Sequence, residues 1–429
     1  MSRAVRESTA LDADGRSAGP PQARPAPSGG SEPREAGSVG VSGFCAGPPQ
    51  ARPAPSGGSE PREAGSVGVK ILLVKLSSLG DVVHALPVVQ DIHAALPGAQ
   101  VDWVVEKSLA PLLALHPGVH RVIACQIRRW RKAPLAATTR QEWRAFRAQL
   151  QQDAYDAVID LQGLAKSALV ARLARLATAG RRFALANQTE GSSYEAPTRW
   201  VADVALRMPP HIHAVQRSRE LAARALGYAL QSAPDFGLNR PVAQAGRAQA
   251  APETIATNAR PRTVALVHGT SRADKEWPLA HWVALGLRLQ TAGWQVALPH
   301  GSASELLTSQ AIAQGLNQGG KSGEPVLVWP LLALDALTEA LAQCAGVIGV
   351  DSGVSHIAVA LDLPHVQIYN FDTAWRTGPL PQPPGEQSGI ARQVSVFAQP
   401  TPAVDAVWQA WLGCQQRNGA VMAAAGSAA

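Results

Sequence analysis

The chain has 429 residues, of which 46% are hydrophobic and 17% charged, and a formal net charge of +7. That places it among soluble globular proteins long enough for two ordinary domains with separate cores. Cys45, Cys125, Cys344 and Cys414 are widely spaced and form no CxxC pair, which speaks against a disulfide framework or a zinc ribbon and suits a reducing cytosol. No apolar run reaches about 18 residues, and the N-terminus lacks an apolar signal core, so neither a membrane span nor a secretion signal is expected.

Residues 18–41 recur without change at 46–69. A Pro/Gly/Ser/Ala segment with almost no large apolar side chains cannot offset its ordering entropy, so residues 1–68 read as a disordered tail carrying a tandem duplication. Residues 1 to about 66 are expected to be dispensable, with a native start at Val67 or Val69. Residues 1–69 hold seven arginines against seven acidic side chains, so the excess charge lies in the folded part. Part of it is concentrated in Arg128-Arg-Trp-Arg-Lys132, followed by Arg140, Arg144 and Arg147, which suits an anionic partner as readily as it suits a solvated face.

From residue 69, apolar runs of strand length alternate with helical stretches, the pattern of βα units. Strands are predicted at 69–76, 101–105, 121–124 and 157–161, with helices near 81–95, 108–115, 140–153, 164–176 and 213–226. Loops with short helices are expected over 181–210. The second half repeats the rhythm. Its predicted strands are 263–268, 294–298, 326–328, 346–350 and 365–369, and its helices 279–291, 303–315, 333–343 and 353–361. An apolar stripe of Val404, Val407, Trp408, Trp411 and Leu412 marks a C-terminal helix. The expected organisation is therefore an α/β protein with two Rossmann-like doubly wound domains facing a cleft: residues 69–242, a linker at 243–262, residues 263–415, and a frayed tail at 416–429.

Two βα junctions carry most of the chemistry. In Ser77-Ser-Leu-Gly-Asp81, Gly80 permits a tight turn and Asp81 stands at a helix start, as a reacting carboxylate or as an N-cap. In Asp351-Ser-Gly-Val-Ser-His356, Ser352 and Gly353 would offer backbone N–H groups at a helix N-terminus, with His356 one turn later on the same face. His356 could equally be a satisfied, partly buried histidine. Thr270, Ser271 and Lys275, in the loop after residues 263–268, suit a phosphate contact or a plain hydrophilic loop. Gly315 to Ser322 spells a P-loop but follows a helix and leads into a strand, the wrong context, and Gly-x-Gly-x-x-Gly is absent from the chain. His211 and His213 lack a neighbouring carboxylate or cysteine in sequence, which argues against a metal there. The eleven tryptophans read as core and groove lining, with Trp130 between basic residues as an exception.

The segments KILLVKLSSLGDVVHALPVVQDIHAALPGAQVDWVVE, IRRWRKA, YDAVIDLQGLAKSAL, HGTSRADKEWP and VGVDSGVSHIAVALDLP, in this order, resemble the lipopolysaccharide heptosyltransferases of glycosyltransferase family 9. The resemblance runs from about Val69 to Gly378. It implies the GT-B glycosyltransferase fold, with an N-terminal acceptor domain and a C-terminal donor domain. It also implies transfer of L-glycero-D-manno-heptose from ADP-heptose to Kdo-lipid A, with inversion and without a metal or cofactor. By the same resemblance Asp81 is the catalytic base, with Ser78 and Gly80 beside it, and Lys275 meets the donor phosphates. Asp351, Ser352, Gly353 and His356 hold the diphosphate and heptose, and Glu305 is a donor-site glutamate. Arg128, Arg129, Arg131 and Lys132 form the basic acceptor loop.

Ser352 replaces a threonine, Ala273 an acid, and the segment after Tyr369 reads Asn-Phe-Asp-Thr-Ala where the family commonly has Gly-Pro-Thr-Asp-Pro. A monomer is expected, in peripheral contact with the cytoplasmic face of the inner membrane and with no nucleic-acid partner. Two alternatives remain open: a related enzyme adding a later heptose, and a non-catalytic binder of an ADP-sugar or anionic lipid.

Overall fold

The structure, a computed structural model, describes residues 68–238, 262–319, 325–380 and 392–426. The duplicated segment, apart from Gly68 and Val69, and most of the 243–262 linker lie outside them. The first sheet comprises β1 (Lys70–Val74), β2 (Gln100–Glu106), β3 (Arg121–Cys125), β4 (Ala154–Asp160), β5 (Arg175–Leu185) and β6 (Val204–Leu206). All its pairings are parallel, in the order β3-β2-β1-β4-β5-β6. Helices α1 (Leu79–Val83), α2 (Pro87–Ala95), α3 (Ala110–Ala114), α4 (Ile127–Trp130), α5 (Ala137–Leu150), α6 (Ala165–Leu173), α7 (Thr198–Val201) and α8 (Ala214–Leu226) connect and cover it.

The second sheet has β7 (Thr263–Val267), β8 (Gln295–Leu298), β9 (Leu327–Val328), β10 (Gly346–Val350), β11 (His365–Tyr369) and β12 (Gln393–Phe397), in the order β12-β11-β10-β7-β8-β9. Its helices are α9 (Leu279–Thr291), α10 (Ala303–Gly319), α11 (Leu334–Ala342), α12 (Gly353–Ala360), α13 (Ala374–Thr377) and α14 (Val404–Gly426).

Strands covered on both faces read as continuous apolar runs rather than alternating ones. Ile71, Leu72, Leu73 and Val74 of β1 are fully buried, each contributing about 1.5–3 kcal/mol by removal from water. In each sheet the strand order reverses at one place, between β1 and β4 and between β7 and β10. A crevice opens at such a point beyond the strand carboxyl ends, because successive connections leave to opposite faces. The two halves share one apolar core, in which Leu112 and Leu113 of α3 join Leu337 and Leu341 of α11.

Two expectations are corrected, and one strand was not anticipated. The single helix over 81–95 is two, broken at His84–Leu86, with Pro87 opening the second where a missing N–H costs nothing. Residues 181–210 hold the expected loops and one short helix, α7, but also the end of β5 and all of β6, which were not expected. Arg175, Arg181 and Arg182 mask the strand, and Arg182 folds its guanidinium onto the carbonyls of Ala171 and Ala174 at 2.9 and 3.1 Å. The short, half-buried β12 also lacked an apolar signal strong enough to read. Gly315 to Gly319 belong to α10, the helical context that speaks against a P-loop there.

Candidate active site

Beyond β1 the chain turns through Ser77 and Ser78 into α1. Gln162, after β4, fixes that turn by accepting the N–H groups of Leu76 and Ser77 at 2.8 and 3.1 Å. Ser78 is the N-cap, and Asp81 is the third helical residue rather than the cap. Asp81 Oδ2 accepts the Ser78 N–H at 3.0 Å and the Ser78 hydroxyl at 2.9 Å, half of a capping box. Its Oδ1 lies 3.6 Å from Lys75 Nζ and 4.0 Å from Arg217 Nη2. The capping contacts and the nearest cations thus fall to different oxygens of one carboxylate that lines the cleft.

Lys75 lies beneath Asp81, 1% exposed, with its ammonium on the Leu161 carbonyl at 3.1 Å. Burial pushes the Lys75 pKa down, opposed by Asp81. Burial would raise the Asp81 pKa, but the Lys75 ammonium, the Ser78 hydrogen bonds and His84 overcome it and hold the carboxyl well below the usual range.

The C-terminal half answers across the cleft. Asp351, 6% exposed at the end of β10, accepts the Lys275 ammonium at 2.6 Å and stands 3.4 Å from His356 Nε2. Burial would raise its pKa, yet His356 and Lys275 prevail and hold it low. The Thr270 hydroxyl donates to the Asp351 carbonyl at 3.3 Å, so it sits behind the wall. Asn370, in the segment that departs from the family pattern, donates to the carbonyls of Asp274 and Glu276 at 3.0 and 2.9 Å and so fixes the loop bearing Lys275.

Ser352 caps α12, its hydroxyl taking the Ser355 N–H at 3.4 Å. The N–H groups of Gly353 and Val354 are left at the positive end of the helix, suited to an anion. A Cβ on Gly353 would lie 2.7 Å from Leu79 Cβ, and one on Gly80 would lie 2.7 Å from His356 Cδ2. Glycine at both positions lets α1 and α12 touch across the cleft.

Ser78, Gly80, Asp81, Ser271, Lys275, Asp351, Ser352, Gly353 and His356 line one cleft of about 210 Å³. Glu305 lies outside this lining, accepting the Gly301 N–H at 2.7 Å and packing against Gly269. The basic segment also lies outside it. Arg128 reaches the Ser77 hydroxyl at 3.4 Å, Arg129 pairs with Glu142, and Arg131 and Lys132 are exposed. Trp130 is no exposed platform: it is 7% exposed, packed on Trp143 and Phe146, with its indole N–H on Glu142 at 2.8 Å.

Sequence reasoning missed Lys75, His84, Lys166, His213, Arg217 and Arg376. Lys75, inside the apolar run that ends β1, was the readable one, because a lysine there must find a partner. Lys166 donates to the Ser77 hydroxyl at 3.0 Å, beside Arg128. His84 packs against His356, with ring centroids 4.2 Å apart and the rings tilted by 53°. Burial leads the downward shift of both the His84 and His213 pKa values, taking His213 to about 4. His213 caps α8 through Nδ1 and donates from Nε2 to the Gly378 carbonyl at 3.0 Å, joining the halves. Among the described residues no group of three or more His, Cys, Asp or Glu side chains is placed to hold a metal ion.

Residues 143–395 match the model of glycosyltransferase family 9 (heptosyltransferase). Over 319 residues the chain is 40% identical to lipopolysaccharide heptosyltransferase 1 of Pseudomonas aeruginosa, covering 72% of this chain and 81% of that one. It is 38% identical to lipopolysaccharide heptosyltransferase 1 of Escherichia coli K12, covering 70% and 88%. Among solved structures, E. coli heptosyltransferase WaaC with ADP superposes with a TM-score of 0.66 at 32% identity, covering 80% of this chain and 98% of that chain. The paired sheets are thus a GT-B arrangement, and the chain belongs to glycosyltransferase family 9, the heptosyltransferases.

Proposed function

We propose that this enzyme transfers L-glycero-D-manno-heptose from ADP-heptose to Kdo-lipid A, the first heptosyl step of the lipopolysaccharide inner core. The observation that carries the reading is the opposition, across one cleft, of the Asp81 carboxylate to the Lys275 ammonium and the N-terminal end of α12. The names of the relatives and the ADP held by WaaC support the same assignment.

As the heptose–phosphate bond breaks, charge grows on the ADP β-phosphate. Lys275 and the N–H groups of Gly353 and Val354 are preorganised to meet it. An acceptor hydroxyl attacks the opposite face of the anomeric carbon and passes its proton to Asp81 Oδ1, which gives inversion in one displacement. A carboxylate held this low is a weak base in the open cleft. Substrates that displace water remove part of its hydration and raise its basicity. Arg128, with Lys166 beside Ser77, extends a cationic surface from Asp81 towards Arg131 and Lys132, suited to the anionic Kdo and lipid phosphates.

A lipid acceptor places the enzyme in peripheral contact with the cytoplasmic face of the inner membrane. Among the described residues no helix is long and apolar enough to cross a membrane.

The test is ADP release by the full chain given ADP-heptose, with and without Kdo-lipid A or its de-acylated form. Acceptor-dependent release is expected. Donor binding without release under both conditions would overturn the reading in favour of another acceptor or a non-catalytic binder.

A further inference from the structure

The cations in and beneath the cleft are unequally paired, and two of them meet no carboxylate at hydrogen-bond distance. Both lysines are matched, Lys75 with Asp81 and Lys275 with Asp351. Glu190, the other carboxylate in the lining, accepts His211 at 2.9 Å. Two guanidiniums remain, one from each half. Arg217 of α8, 8% exposed, donates from Nη1 to the Thr189 hydroxyl at 2.9 Å, while its Nη2 stays 4.0 Å from Asp81 Oδ1, beyond hydrogen-bond reach. Arg376 of α13 donates from Nη1 to the Gly191 carbonyl and makes no ion pair among the described residues.

Thr189 and Gly191 sit in one tight turn, closed by the N–H and hydroxyl of Ser192 on the Thr189 carbonyl at 3.1 and 2.8 Å. The two guanidiniums therefore grip one turn and line the same cleft. Burial lowers the Arg217 pKa, opposed by Asp81 and reinforced by Arg376, which marks the two cations as neighbours. Two partly desolvated like charges with no carboxylate shared between them are relieved by an incoming anion.

We propose that Arg217 and Arg376 together bind the carboxylate of the acceptor sugar, beside the hydroxyl that Asp81 deprotonates. The inference rests on the acceptor named above. Kdo is an ulosonic acid, so it carries a carboxylate fixed to the sugar that bears the attacking hydroxyl. The donor β-phosphate already has Lys275 and the end of α12, whereas Arg217 belongs to the acceptor half and is the cation nearest Asp81 Oδ1 after Lys75. A carboxylate drawn onto Arg217 would also weaken that cation's pull on Asp81, so acceptor binding would itself strengthen the base.

The experiment gives the full chain ADP-heptose with de-acylated Kdo-lipid A, and with the same acceptor carrying a neutral carboxamide in place of the carboxylate. If the wild type releases no ADP with the carboxylate acceptor although it binds donor, the functional reading fails and this inference falls with it. Otherwise the carboxamide is expected to raise the acceptor KM of the wild type roughly 10- to 100-fold, the span for losing a hydrogen-bonded charge. Arg217→Met and Arg376→Met are each expected to raise the KM for the carboxylate acceptor by a similar factor. They should abolish most of the preference over the carboxamide and leave the ADP Kd unchanged, which also shows that the variants fold. Arg217→Gln, which removes the charge but keeps a polar side chain for the Thr189 hydroxyl, gives the same readout if Arg217→Met does not fold. Retention of the wild-type preference would overturn the proposal. So would a loss of ADP affinity with the acceptor KM unchanged, which would assign the pair to the diphosphate.

Discussion

Each half of the molecule sets a lysine–aspartate pair at the carboxyl edge of its sheet, and the two pairs are turned opposite ways. In the acceptor half the lysine is buried and the carboxylate presented: side-chain exposure is 2% for Lys75 and 38% for Asp81. In the donor half the carboxylate is buried and the ammonium presented, with 6% for Asp351 and 20% for Lys275. The buried member fixes and neutralises its partner. In the proposed mechanism the presented member meets the substrate, as a base on one side and an anion-binding cation on the other.

The largest effect comes from removing the presented carboxylate. Asp81→Asn keeps the cap contacts in shape but cannot accept the proton, and kcat is expected to fall roughly 10²- to 10⁴-fold. Steady-state ADP release reads this, and near-normal turnover would reduce Asp81 to a helix cap. Substitution where the halves touch comes next. Gly353→Ala would force a Cβ to 2.7 Å from Leu79, and overpacking of this kind costs about 1–3 kcal/mol. A lowered Tm with reduced kcat is expected, and an unchanged enzyme would show that α1 and α12 can separate freely.

Acid should loosen the donor half through His365, fully buried with its pKa near 4 because burial outweighs the hydrogen bond from Nδ1 to the Val347 carbonyl at 2.9 Å. A folded-state pKa below the unfolded value of about 6.5 means that the unfolded chain binds the extra proton. This contribution is therefore complete above about pH 6.5 and disappears progressively towards pH 4. Urea midpoints measured across that window should fall, and His365→Asn should flatten the dependence. The smallest effect is a displacement of pH dependence. Lys75→Met replaces the buried ammonium with a side chain of similar volume and removes the main cation holding Asp81 low. The acid limb of kcat/KM should then move to higher pH, on the order of one unit. An unmoved limb would mean that Lys75 only fills space.

Much of this was legible because both junctions write their chemistry in consecutive residues. Asp351 to His356 and Ser78 to Asp81 each follow an apolar strand whose burial is dictated by composition, so the crevice position follows from topology. What was hidden needed three-dimensional pairing. Arg217 and His213 sit on an amphipathic helix indistinguishable in sequence from a solvated one. Arg376 becomes relevant only because the turn at Thr189–Ser192 comes to meet it. Asn370 stood out in sequence only as a departure from the family pattern, yet it braces the Lys275 loop. Trp130 was misread because its basic neighbours are exposed while the indole turns inward.

The inverted pairs are tested most directly by calorimetric titration of ADP into Asp81→Asn and Lys275→Met. Asp81→Asn should bind ADP at least as tightly as the wild type, and Lys275→Met roughly 10- to 100-fold more weakly, the cost of losing a charge-assisted contact to phosphate. Equal weakening in both variants, or wild-type affinity in Lys275→Met, would contradict the division of labour between the two halves.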